Sequence, residues 1–158
     1  MYDSKINSAK IQENGTESFS NVGSTLTSGS IVRKQGLPEW AINWSKNRFG
    51  MDIGGIDFCI VDKQEGDEPF AAASGNNIFV TSEYKNNKSV LMHEITHIYQ
   101  QAVGSVTESN VSDQFLEDEA VKVSKNEGDL LSKRQTVGDK YIIPRENTNI
   151  VQSLGGLP

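Results

Sequence analysis

The sequence predicts a small α+β domain, a short mixed sheet packed on two helices and set between polar tails. Three observations carry that expectation. Residues 56–82 hold β-rich runs, IDFCIV and IFVTS, with a hairpin turn signal between them. Residues 88–103 repeat their apolar positions at helical spacing. A second amphipathic stretch follows at 111–126, beyond a glycine-bearing break. The length of 158 residues suits one domain with tails, and the 35% hydrophobic content is low for a chain packed throughout.

Residues 1–36 are rich in Ser, Thr, Asn and Gly, as in 18-SFSNVGSTLTSGS-30, and read as a flexible arm. The ordered domain is expected over 37–127. Its first helix is bounded by Pro38 and Gly50. Trp40 and Trp44 lie four apart there, with Ala41 and Arg48 continuing their side, and are expected to anchor the core. A strand at 56–61 alternates in the β pattern, and the acidic loop DKQEGDEP after it is solvated surface. The run 70-FAAASGNNIFVTS-82 reads as two strands around Gly75-Asn76-Asn77. The next helix runs from about Lys88 to Val103, capped by Asn87 or Ser89 and stopped at Gly104. Leu91, Ile95, Ile98 and Ala102 form its core stripe. The last helix opens near Ser109 or Ser112 and ends before Gly128, with Phe115, Leu116, Ala120 and Val123 on its apolar side. Residues 128–158 form a polar tail in which YIIP and IVQSL are candidate docking strands.

Bulk properties narrow the function. A net charge of -6 and a pI near 4.9 argue against nucleic acid as a partner. The single cysteine, Cys59, allows no intrachain disulfide and sits in an apolar run, where it reads as a small buried hydrophobe. No run of eighteen apolar residues is present, so no membrane span is expected. The start, MYDSKINSAKIQENG, lacks the apolar segment of a signal peptide, so any export is expected to proceed without one.

Both histidines of the chain fall in 91-LMHEITHIYQQ-101. His93 and His97 are one helical turn apart, so their rings project from one side and can share an ion. Imidazole is a preferred zinc donor. Glu94, beside the first histidine, is placed to take a proton from a water that the ion polarises. Such a site needs a third ligand, and no third histidine exists. Glu117 is favoured because it flanks Leu116 and Ala120 at the edge of the buried face; Glu119, on another side of the same helix, is the alternative. An oxyanion-stabilising group would come from Tyr84, Tyr99 or Tyr141, of which Tyr84, after the strand IFVTS, is the candidate taken.

The ordered series LPEWAINWSKNRFG, AAASGNNIFV, VLMHEITHIYQQ and FLEDEA resembles a metallopeptidase domain associated with bacterial extracellular contractile injection systems. The resemblance covers about residues 37–126, and Gln100-Gln101 after H-E-x-x-H is part of its pattern. It implies a zincin-like fold with a glutamate third ligand, and zinc as cofactor. It implies a zinc endopeptidase acting on peptide or protein, as a toxin, effector or self-processing domain. The injection particle is then a partner, and the protein passes from the bacterial cytoplasm by secretion or injection. In that wider group an aspartate four residues after the ligand glutamate orients a zinc histidine; here that position is Val121, leaving Asp113 or Ser124 as possible substitutes. The resemblance also gives peptide binding by strand addition to Ile78, Phe79, Val80, Thr81 and Ser82, on an expected edge strand. A non-catalytic, zinc-binding cargo or delivery module is the alternative, and a purely structural zinc domain ranks below both, since it leaves Glu94 without a purpose.

Overall fold

A computed structural model describes residues 10–11, 31–63, 66–111, 114–126, 141–146 and 148–154. The elements are β1 (Lys10–Ile11), β2 (Ile31–Gln35), α1 (Glu39–Phe49), β3 (Asp57–Asp62), β4 (Ala71–Ser74), β5 (Asn77–Thr81), α2 (Lys88–Ala102), α3 (Gln114–Ser124) and β6 (Gln152–Leu154). A single 3₁₀ turn, Ser82–Tyr84, joins β5 to α2. The strands form one mixed sheet in the order β1-β2-β3-β5-β4-β6. β3 and β5 are parallel, whereas β2, β4 and β6 each pair antiparallel with their inner neighbours. The α+β architecture is the one expected, with the histidine pair on α2 and the glutamate on α3 packed together.

Alternation along the strands sorts their side chains onto two buried faces. Phe58, Ile60, Ala71, Ala73, Ile78 and Val80 face the main core, where Phe49 of α1 and Leu91, Ile95, Ile98 and Tyr99 of α2 meet them. Each fully buried side chain of this size stabilises the fold by about 1.5–3 kcal/mol. Phe49 stacks on Tyr99 at 4.5 Å between centroids. Cys59, Val61, Ala72 and Phe79 turn to the other face, with Val32, Phe70 and Val151. Cys59 is the buried hydrophobe expected, and burial pushes its thiol up to about 12.

Four readings change. Ile31–Gln35, taken as part of the flexible arm, forms β2 and pairs along β3 from Asp62 to Phe58. On α1 the buried side is Ala41, Ser45 and Phe49, and the tryptophans flank it half-buried; Pro38 is the cap residue rather than the first helical one. Phe115 is 45% exposed, because α3 begins only at Gln114 and turns Leu116, Ala120 and Val123 inward. β5 is not an edge strand. The connection from β3 delivers β4 to the outer position, and the hairpin returns β5 between β3 and β4. Its buried Ile78, Phe79, Val80 and Thr81 are those of an interior strand.

The segment 141–154 wraps back over the domain. Ile142 exchanges backbone hydrogen bonds with Gly50 and Asp52. Gly75, in the β4–β5 turn, has φ +64°, and a Cβ there would lie 2.7 Å from the Arg145 carbonyl oxygen. Ile150 packs on Val106 and Leu116, and β6 then covers the outer edge of β4. The docking expected of YIIP and IVQSL is thus an isolated bridge at Ile142 and a strand at 152–154. Residues 127–140 and most of 1–30 lie outside the described residues.

Candidate metal centre

α2 starts where the Asn87 side chain accepts a hydrogen bond from the Val90 amide, 3.1 Å away, satisfying one of the free N–H groups of the first turn. Val90 through Gln101 are all buried, so the helix is covered on the sheet side and by α3. Leu91, Ile95 and Ile98 fix its rotation against the sheet, which turns His93 and His97 toward α3.

α3 supplies Glu117. His93 Nε2 lies 2.7 Å from Glu117 Oε2, His97 Nε2 lies 3.3 Å from Glu117 Oε1, and the two Nε2 atoms are 3.1 Å apart. Around a tetrahedral ion with bonds of about 2.0–2.1 Å, donor atoms stand about 3.3 Å apart. Two sides of this triangle match that spacing. The short side is a hydrogen bond that a cation would replace. Burial holds the His93 imidazole below its ordinary value, against the pull of Glu117, so its neutral, ligating form is favoured. Burial would raise the Glu117 carboxyl, but the hydrogen bond from His93 and the closeness of His97 outweigh it and hold it at about 2. Two neutral imidazoles and one carboxylate form a donor set suited to a divalent cation.

Glu94 gives independent support. Its side chain is 0% exposed, and neither carboxylate oxygen has a hydrogen-bond partner among the described residues. Burial, and then the charge of Glu117, push its carboxyl well above the usual range. A buried acid left without a partner is costly, and such groups concentrate at functional sites. A cation held by the neighbouring triad supplies the missing compensation.

The orienting group comes from a residue the sequence reading passed over. His97 Nδ1 lies 2.8 Å from Gln100 Oε1. The Gln100 amide can present only its oxygen there, because Nε2 donates to the Leu116 carbonyl at 3.0 Å and to Glu119 Oε1 at 2.8 Å. His97 therefore carries its proton on Nδ1 and offers the Nε2 lone pair to the ion. Gln100 thus offers His97 an acceptor, which Val121 cannot do. Ser124, one suggested substitute, donates instead to the Val121 carbonyl, and Asp113 lies outside the described residues. The available signal was a glutamine three residues after a ligand histidine on a helix with no exposed side.

The structure brings His93, His97 and Glu117 together with Glu94 beside them. Glu119 is not in the triad; it is buried and accepts from Gln100. Tyr84 packs against the main core from the turn before α2. Ile78, Phe79, Val80 and Thr81 are enclosed in the sheet, and the Ser82 hydroxyl donates to Asp62. Strand addition at β5 is thereby removed, since β3 and β4 occupy both of its edges.

No family model, curated protein or solved structure matches the chain. What stands is a buried His-His-Glu group of H-E-x-x-H type on two packed helices, able to hold a metal ion.

Proposed function

We propose that the protein is a zinc-dependent peptide hydrolase. His93, His97 and Glu117 hold the ion, and Glu94 is the general base. The observation that carries this reading is the buried, partnerless Glu94 carboxylate next to three converging donors. A structural zinc site would be closed by a fourth protein ligand and would have no use for that acid. When bound, zinc supplies Lewis acidity to a water and to a substrate carbonyl. Glu94 takes the proton of the attacking water and passes it to the leaving amine nitrogen. Gln100 keeps the His97 proton on Nδ1 throughout.

The resemblance carries the reading further: an endopeptidase deployed as a bacterial toxin, effector or self-processing domain of a contractile injection system. A second reading has its own observation. Glu94 is 0% exposed, and β6 covers the β4 edge beside α2. That closure suits a zinc-binding cargo or delivery module without turnover.

One comparison separates them. Wild type and Glu94→Gln are assayed for zinc content and for peptide cleavage by mass spectrometry, including cuts within the chain. Equal zinc, with cleavage reduced about 10²–10⁴-fold in the variant, supports the hydrolase. Equal zinc without cleavage in either leaves the module. Absence of zinc from both proteins overturns the two readings together.

A further inference from the structure

We infer that Gln152, on β6, is a positioning residue for the metal ligand His97 and acts through Gln100. The inference rests on the reading of His93, His97 and Glu117 as a metal site. Gln152 is separated from Gln100 by 52 positions, yet its Nε2 donates to Gln100 Oε1 at 3.1 Å. Its own Oε1 accepts from Gln101 Nε2 at 3.0 Å. Gln101 also donates to the Ala73 carbonyl at 3.1 Å and accepts from the Gly75 amide at 2.8 Å. A line of buried amides thus runs from the β4–β5 turn through Gln101, Gln152 and Gln100 to the His97 ring.

Every amide in that line has a fixed sense. Gln100 spends both N–H groups on Leu116 and Glu119, so its oxygen must face His97 and Gln152. Gln152 must then present nitrogen to Gln100 and oxygen to Gln101. A flip of any one of them brings like groups together in a site with no water-facing alternative, since all three are at most 4% exposed. The backbone supports this placement. β6 pairs Gln152 with Ala73, while Ile150 is held by Val106 and Leu116 and Val151 enters the far-face cluster. The last described strand of the chain therefore sets the plane of the amide that sets the ring.

The test is a double-mutant cycle on zinc affinity, by chelator competition, with Gln152→Ala, Gln100→Ala and the double variant. Gln152→Met serves as a volume-preserving second variant, and Ser153→Ala, whose hydroxyl has no partner, as the control. Gln152→Ala and Gln152→Met are expected to weaken zinc about tenfold and Gln100→Ala about a hundredfold, the range typical of groups that orient ligands. In the Gln100→Ala background, Gln152→Ala should cost less than about twofold, because its route to His97 is already cut. Ser153→Ala should bind as wild type. Imidazole ¹⁵N spectra of the metal-free proteins, with only two histidines to assign, give a readout independent of zinc. Wild-type His97 is expected as the Nδ1–H tautomer, and Gln152→Ala as a mixture. A full tenfold loss retained in the Gln100→Ala background, or an unchanged tautomer and affinity in Gln152→Ala, overturns the inference. A wild type that shows the tautomer but binds no zinc overturns the metal reading instead.

Discussion

Glu117 makes the metal-free protein sensitive to acid in a way that can be calculated. Its carboxyl falls from an ordinary value of 4.5 to about 2 because the hydrogen bond from His93 and the closeness of His97 more than offset its burial. A carboxyl lowered on folding stabilises the native state above the unfolded value and loses that contribution as pH falls toward the folded one. The gap, at about 1.4 kcal/mol per pH unit, sets a ceiling of about 3.4 kcal/mol. The side chain is 34% exposed, so solvent screening reduces this to about 1–2 kcal/mol. The perturbation is Glu117→Gln, and the assay is urea unfolding of both chelator-stripped proteins between pH 7 and pH 2.5. Wild type should be the more stable by about 1–2 kcal/mol at pH 7, with the difference shrinking below pH 4.5 and nearly gone at the acid end. Glu94, shifted the opposite way, is common to both proteins, and only the smaller part of its shift, the part due to the Glu117 charge, enters the difference. A difference independent of pH would refute the argument, since it would mean that the carboxylate gains nothing from the histidines.

Three further outcomes follow from the same structure. Glu119→Ala should weaken zinc by about tenfold without abolishing binding, as expected for an acid that supports Gln100; complete loss of stoichiometric zinc would make Glu119 a ligand. Gly75→Ala should cost about 2–4 kcal/mol in urea unfolding, because it combines a left-handed backbone with a Cβ 2.7 Å from the Arg145 carbonyl; a loss below about 1 kcal/mol would show that 141–154 does not seat there. Cys59 should resist a thiol reagent in the native protein and react fully in urea, as its thiol is 0% exposed and raised to about 12; rapid native labelling would contradict the packing of the far face.

The parts of the fold that the sequence displayed are those fixed by neighbours along the chain. Helical spacing alone put His93 and His97 on one side of α2 and Leu91, Ile95 and Ile98 on another, and the Asn87 cap was readable from its residue type. Glu117 was within reach because the loop from α2 to α3 is short. What stayed hidden depends on pairing at a distance. β5 has the same pattern whether it lies at an edge or inside, so nothing local told that β4 would be delivered outside it. β2 and β6 are short strands in polar surroundings, and each is recruited by a partner twenty or more residues away. Gln100 was visible but misjudged: amides were not counted among the groups able to orient a histidine.

The choice of an amide at that place has an electrostatic consequence. Glu117 and Glu94 already place two carboxyls close enough to interact, and Glu94 is raised partly by the charge of Glu117. A carboxylate in place of the Gln100 amide would bring a third against the histidines, raising Glu94 further and weakening its ionised form. Gln100 gives His97 the same acceptor without a charge. The negative group that completes the line, Glu119, stands one amide farther off, where it fixes the sense of Gln100. The cost is that a neutral amide holds a ring less firmly than a carboxylate does. Additional hydrogen bonds must therefore hold the amide itself, and they come from α3 through Leu116 and Glu119 and from β6 through Gln152. The amide at Gln100 and the strand that closes over β4 are then two sides of one solution, in which orientation of the His97 ring is spread over three elements of the fold.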